Sequence, residues 1–270
     1  QVQNQSREGN MKIDIFDIEK NKIGEIKLPL QFEEEFRPDL IKKAVLVIQS
    51  HKRQPYSASE DAGKRASAKL SRRRRDYRGS YGFGISRVPR KILSRRGSRM
   101  NWVGAFAPGT VGGRRAHPPK KEKEWWRKIN QKENKKAIRS AIAATTIKEI
   151  VIGRGHIIPP NYPFVVDDKF ESIDKTQKVI AIFKNLGFGK ELDRVEEKKV
   201  RAGKGKSRGR KYKKKKGPLI VVAKKGKLMK AASNIPGVEV IEVQNLNTEL
   251  LAPGAKPGRL TLWTREAINI

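Results

Sequence analysis

From Met11 to Ile18 apolar and polar side chains interleave, with Ile13, Ile15 and Ile18 apolar and Asp14 and Asp17 polar. A period near two puts alternate side chains on opposite faces of an extended chain, so this segment is predicted to be a strand. Asn21–Gly24 supplies a turn, and Glu25–Leu28 a short returning arm. From Pro38 the period lengthens. Leu40, Ile41, Ala44, Val45, Val47 and Ile48 form the stripe of a helix that starts at Pro38 and ends near His51. Ala137, Ile138, Ala141, Ile142 and Thr145 mark a second helix, whose small residues favour close packing. Phe164–Val166 reads as a short strand. Ser172 is placed to cap a helix with the apolar face Ile173, Val179, Ile180, Ile182, Phe183 and Leu186, and Gly187 to stop it. Leu219–Ala223 is continuously apolar, the signature of a strand covered on both faces. Lys227–Ser233 is a short helix, and Val238–Val243 and Leu260–Trp263 are further strands. Strands alternating with helices predict an α/β fold, a three-layer body whose mainly parallel sheet is flanked by helices.

Between the first two helices the pattern stops. From Lys52 to Lys121 neither period is sustained, and Gly, Ser, Pro and Arg dominate. The expected organisation is therefore one globular domain, 11–51 and 122–270, interrupted at 52–121 by a long, extended, irregular arm. Residues 1–10 are expected to be a disordered extension, and 198–217 a basic surface loop within the domain. A structureless loop of that length is unusual inside a compact domain, which points to an arm that orders on a partner.

Charge names the kind of partner. The 270 residues carry a formal +34, but not evenly. Twenty of the 70 residues from Lys52 to Lys121 are Lys or Arg, opposed only by Glu60, Asp61 and Asp76. Lys198 to Gly217 holds 12 Lys/Arg in 20 residues and no acid. Like charges packed this densely repel, and a polyanion removes that cost; the abundant polyanion is nucleic acid. Tyr56, Tyr77, Tyr81, Phe83, Trp102 and Phe106 are interleaved with the arginines, which a merely solubilising tail would not need. Rings stack on unpaired bases, and Arg both stacks on bases and bridges phosphates.

The expected RNA contacts in the first segment are Arg53, Tyr56, Lys64, Arg65, Lys69, Arg72, Arg73, Arg74, Arg75, Arg78, Arg87, Arg90, Lys91, Arg114, Arg115 and His117. In the second they are Arg201, Lys204, Lys206, Arg208, Arg210 and Lys211. Trp125-Trp126 has two readings: one ring packs on the body while its neighbour faces out, or the pair is a hinge at the arm's root that stacks on RNA.

Other chemistry finds little support. Without cysteine there are no disulfides, thiolate zinc sites, iron–sulfur clusters or cysteine nucleophiles. No apolar run approaches a membrane span, and Gln1–Asn10 lacks an apolar signal core, so neither membrane insertion nor secretion is expected. Gly205-Lys206-Ser207 mimics the end of a phosphate-binding loop, but Val200 stands where its first glycine belongs and no strand leads in. His51, His117 and His156 lack metal-ligand spacing and read as structural residues or RNA contacts. Asp167-Asp168 and Glu196-Glu197 read as solvated acids or arginine partners, not a catalytic dyad. No metal, cofactor or catalytic residue is expected. The rival readings are a DNA- or chromatin-compacting protein and an RNA-modifying α/β enzyme; relative affinity for structured RNA and duplex DNA separates the first of these.

Six collinear pieces then resemble one family. They are Phe36-Arg37-Pro38-Asp39; Arg53-Gln54-Pro55-Tyr56 with Ser59-Glu60 and Ala62-Gly63; Arg139 to Thr145; Arg154-Gly155-His156; Arg201 to Lys206; and Leu251-Ala252-Pro253-Gly254 with Pro257 to Thr261 and Trp263-Thr264. The likeness is to the universal L-four family of the large ribosomal subunit, in its archaeal and eukaryotic branch. It implies a cytoplasmic, non-enzymatic protein of that subunit that binds its RNA, assists early assembly and threads an arm into the RNA. The arm's tip would help form the constriction of the nascent-peptide exit tunnel, beside the L-twenty-two protein and the nascent peptide. The resemblance places the tip within Gly84 to Trp102, with Arg95, Arg96, Arg99, Met100 and Trp102 as its candidates. No homo-oligomer is expected.

Overall fold

The computed structural model describes residues 11–76, 79–97 and 99–270. The extension expected at 1–10, Tyr77 among the interleaved rings and Arg78 among the expected contacts lie outside the described residues. The strands are β1 (Lys12–Phe16), β2 (Lys22–Lys27), β3 (Arg90–Arg96), β4 (Arg99–Gly104), β5 (Val165–Val166), β6 (Lys199–Val200), β7 (Tyr212–Lys213), β8 (Leu219–Val222), β9 (Glu239–Glu242) and β10 (Thr261–Thr264). The helices are α1 (Pro38–His51), α2 (Gln131–Thr146), α3 (Lys148–Gly153), α4 (Thr176–Asn185), α5 (Gly189–Glu196), α6 (Lys227–Ala232), α7 (Thr248–Leu251) and α8 (Arg265–Asn269). They fall into two units: a body, made of the described residues before Arg53 together with Arg127–Ile270, and a loop unit, Arg53–Trp126.

The body is built on a six-stranded sheet of order β2-β1-β5-β10-β8-β9. Only the β1–β2 pair is antiparallel; β1–β5, β5–β10, β10–β8 and β8–β9 are parallel. Its centre follows from the apolar runs. All four residues of β8 (LIVV) are buried, as a parallel strand with helices on both faces requires. All four of β10 (TLWT) are buried too, and its threonines are tolerated because each is hydrogen-bonded: Thr261 Oγ1 donates to Arg259 O at 3.0 Å and Thr264 Oγ1 to Glu171 Oε1 at 2.6 Å.

The helices obey their end signals. α1 begins at Pro38 and buries Ile41, Ala44, Val45 and Val47. Small residues on α2 let it approach closely, so that Ser140 Oγ accepts the Arg37 N–H at 2.7 Å just before α1. α4 ends at Gly187, whose φ of +97° suits glycine. There the Phe188 N–H bonds Phe183 O at 2.9 Å and the Gly187 N–H bonds Lys184 O at 3.1 Å, the paired closure of a left-handed helix end.

Two expectations need correction, and some helices went unread. Ser172 does not cap a helix: it ends a 3-10 turn, Asp168–Ser172, and α4 starts only at Thr176. The turn is held because the Glu171 carboxylate accepts from the Thr264 hydroxyl and from the Ala223 N–H at 2.9 Å, and Asp168 from the Glu266 N–H at 2.7 Å. Tertiary bonds thus take the residues a helix would have used. The segment 52–121, expected to be an extended irregular arm, contains the β3–β4 hairpin, a ribbon with no fully buried face to show in the sequence. Finally, α3, α5, α7 and α8, of eight residues or fewer, are too short to show a sustained period.

Candidate nucleic-acid interface

Apolar burial nearly vanishes in the loop unit. Among its described residues the buried side chains are those of Ser80 and Ala105. Its conformation is instead held by local bonds and by contact between its two limbs. The Ala58 N–H donates to Pro119 O at 3.2 Å. Gly63 has φ +74°, and a Cβ there would lie 2.5 Å from Arg114 Cα, so only glycine lets the limbs meet. Between them the chain runs out along β3 and back along β4, paired from Arg90↔Gly104 to Arg96↔Arg99 with a bulge between Ile92 and Ser94. One face of this ribbon, with Ile92, Met100 and Trp102, is half-buried and the other is exposed, so no fully buried stripe marks it in the sequence.

The hairpin sets cations opposite one another. Arg96 faces Arg99, and Arg95 faces Met100, around Gly97. Like charges directly across a strand pair destabilise it unless a counter-charge is supplied. The five residues expected at a tip therefore share one ribbon: Arg95, Arg96, Arg99 and Met100 at its end, and Trp102 further back opposite Ile92. Arg90, beneath them, lies 5.7 Å from the Trp102 ring.

Elsewhere the arginines sit on rings. Tyr81 has Arg87 at 4.5 Å and Arg74 at 5.8 Å from its centroid. Lys64, Arg65, Lys69, Arg72, Arg73, Arg74, Arg75, Lys91, Arg115 and His117 reach solvent, and no ion pair between described residues lies within 53–126. At the two ends of the unit Tyr56 stacks on Trp125 with centroids 5.6 Å apart and planes 18° off parallel. The Arg53 guanidinium lies 3.8 Å and the Lys123 ammonium 4.5 Å from the Trp125 centroid. The two rings belong to opposite ends of the segment, so only the fold shows that they meet. The sequence signal was the Trp125-Trp126 pair; Trp125, Lys120 and Lys123 were not among the expected contacts.

The second basic run is an exposed β6–β7 ribbon in the body. Arg201 Nε donates to Arg210 O at 3.1 Å, while Lys204, Lys206, Arg208 and Lys211 are exposed. Lys198 and Lys211 lie 5.3 and 5.5 Å from the Tyr212 ring. Gly205-Lys206-Ser207 enters a 3-10 turn, Lys206–Arg208, with no helix after it, so the strand–loop–helix of a nucleotide-phosphate loop is absent there.

Two arginines fasten this ribbon where it rejoins β8. Arg194 Nη2 donates to Lys216 O at 2.9 Å, and Arg259 Nε to Gly217 O at 2.9 Å. Arg259 is fully buried and is compensated by Glu239 Oε2 at 2.6 Å and Leu250 O at 3.0 Å. Burial lowers its pKa, against the opposing pull of Glu239. Arg194 forks onto the buried Glu191 with both contacts at 2.7 Å, and His156 Nδ1 lies 2.7 Å from Glu191 Oε1. Burial lowers the His156 pKa although Glu191 pulls the other way, so the ring is neutral and its Nδ1–H donates to the carboxylate. Burial would raise the Glu191 pKa, but the bonds from Arg194, His156 and the Ile157 N–H outweigh it and hold the carboxylate ionised. Arg154, nearby, is lowered to about 10 by burial and by Arg259 and Arg194.

His156 is thus structural. The paired acids do separate work, Asp168 on a helix N-terminus and Glu197 on Lys215 at 2.6 Å. Among the described residues no helix is long and apolar enough to cross a membrane, and no cluster of three His, Cys, Asp or Glu side chains is placed to hold a metal.

Known proteins match this layout along almost its whole length. The chain is 53% identical over 260 residues to the large ribosomal subunit protein uL4 of Nanoarchaeum equitans, covering 96% of this chain and 97% of that one. It is 46% identical over 263 residues to uL4 of Archaeoglobus fulgidus, covering 96% and 97%. It is 48% identical over 256 residues to uL4 of Methanococcoides burtonii, covering 94% and 95%. These relatives are named as ribosomal proteins, not enzymes. The family model of the ribosomal protein L4/L1 family matches residues 26–270, which takes in the loop unit and all of the body after most of its first hairpin, and the chain belongs to the ribosomal protein L4/L1 family.

Proposed function

We propose that this protein of the large ribosomal subunit is a structural, non-enzymatic constituent that binds the subunit's RNA from both basic segments. The observation that carries this reading is the loop unit's combination of dense cationic surface and almost no apolar core. Such a segment has little burial to offset its chain entropy, so its ordering has to come from a partner. Phosphates supply the missing counter-charges, unpaired bases the stacking partners for its rings, and folded RNA the shape. The expected contacts, from Arg53 to His117 and from Arg201 to Lys211, act in this reading as phosphate and base partners.

In the same reading the β3–β4 tip helps line the nascent-peptide exit tunnel beside the L-twenty-two protein, in contact with the nascent peptide. RNA binding by the arm assists early assembly in the cytoplasm. The large α/β body serves as a platform for the two basic segments, acting as one copy without membrane contact.

The test is to fractionate lysate of the source cell on a sucrose gradient and probe for the chain before and after a high-salt wash. Co-sedimentation with large subunits that survives the wash is the expected result. A protein found only at the top of the gradient, or stripped by salt, would remove the integral, RNA-threaded reading.

A further inference from the structure

We propose that the cleft between the two ends of the loop unit holds a single unpaired nucleotide, its base on Tyr56 and its phosphate among Arg115, Lys120 and Lys123. This rests on the reading that the unit binds RNA, and it names what one part of that surface takes. The cleft has a volume of about 610 Å³ and is lined by the rings of Tyr56, Trp125 and His117, by Pro118 and Pro119, and by the charged groups of Arg115, Lys120, Glu122 and Lys123. That is the size of a small-ligand site.

Three features distinguish it from the arginine-covered surface around it. First, it has a prepared stacking platform. Trp125 is covered by Arg53, Lys123 and Tyr56, while Tyr56 is itself 54% exposed and so offers a ring backed by another ring. A flat hydrophobic face held this way suits a base better than a phosphate. Second, its wall is stiffened, because the rings of Pro118 and Pro119 fix φ at both residues. Third, its charge is mixed. Three cations favour a phosphate, but Glu122 also lines the cleft. A carboxylate accepts from the exocyclic amine of adenine or cytosine, whereas uracil carries a carbonyl oxygen in place of cytosine's amine and loses that bond. A base inside a duplex cannot reach such a platform, so the site selects a nucleotide that is unstacked.

The experiment uses the whole chain with short oligoadenylate, oligocytidylate, oligouridylate and an RNA duplex of equal charge, by fluorescence anisotropy at fixed salt. Tyr56→Ala is expected to weaken oligoadenylate binding by about 5- to 100-fold, well beyond its effect on the duplex, and Tyr56→Phe to recover most of the loss. Oligocytidylate is expected to bind more tightly than oligouridylate, and Glu122→Gln to narrow that gap. Ultraviolet cross-linking of the unsubstituted protein to oligoadenylate, read by mass spectrometry, is expected to mark Tyr56, Trp125 or His117. The cleft is not a nucleotide site if Tyr56→Ala weakens single strand and duplex equally and the adducts fall only on other segments. If no RNA binds with a salt-dependent affinity, it is the broader RNA-binding reading that fails.

Discussion

The body and the loop unit treat positive charge in opposite ways. In the body two arginines are compensated within the chain: the buried Arg259 by Glu239 and backbone carbonyls, the half-buried Arg194 by Glu191 and Lys216 O. In the loop unit Arg96 faces Arg99 across a strand pair, Arg87 rests on Tyr81, and the acids are too few to answer the arginines. The first arrangement is complete within the chain; the second is not. On the proposed reading a charged side chain in this protein is a stability residue or a binding residue according to whether the chain itself supplies its counter-charge.

The largest effect that would sharpen this contrast is at Arg259. Replacing it with leucine keeps much of its volume but strands the Gly217 and Leu250 carbonyls that it serves. Breaking a buried, hydrogen-bonded charge pair costs about 3–5 kcal/mol. Arg259→Leu is expected to lower the stability of the body by that amount in urea unfolding followed by far-ultraviolet circular dichroism. A loss below about 1 kcal/mol, the worth of an ordinary hydrogen bond, would mean that the guanidinium is not a structural tie.

The reverse experiment takes charge from the loop unit. Replacing Arg72, Arg73, Arg74 and Arg75 with glutamine removes four exposed cations. Body stability should not move, because none of the four has a role in its core. RNA affinity should fall, and its log–log dependence on salt should flatten by roughly 0.7 for each phosphate of unpaired RNA that is no longer neutralised, up to about 3 in all. An unchanged slope would show that these arginines do not neutralise phosphates. A destabilised body would end the division of labour.

The same division governs what could be read from the chain. β8 and β10 declare themselves because burial on both faces needs apolar residues without interruption, and α1 because its stripe, Pro38 and His51 agree with one another. Ser172 misled because a good capping residue was used in a tertiary turn instead. The loop unit's basic character was plain, but its geometry was not. The β3–β4 ribbon has no fully buried face to impose a period, and the Tyr56–Trp125 stack joins residues far apart in sequence. Charge and composition name the kind of partner; only the folded chain shows where a ring and a cation converge.

The smallest effect concerns the body's one buried histidine. The His156 pKa is lowered by burial, so the unfolded chain takes up its proton before the native one does. Stability is then lost as pH falls through the ordinary histidine value of about 6.5 toward the lowered one. Glu191, held below its usual 4.5 despite burial, adds a second loss only at more acid pH, as protonation undoes its bonds to Arg194 and His156. Both slopes have the same sign, and acid weakens the body. Glu239 and Glu197 are lowered as well, but they also act in the carboxylate range, so the window from about pH 7 to 5 isolates the imidazole. The melting temperature of the unsubstituted protein is expected to fall across that window. His156→Gln, which can still donate to Glu191, is expected to flatten it while leaving the salt dependence of RNA binding where it was. Equal slopes for the two proteins would mean that His156 is protonated with the chain folded, and that the body, like the loop unit, tolerates a charge it does not itself compensate.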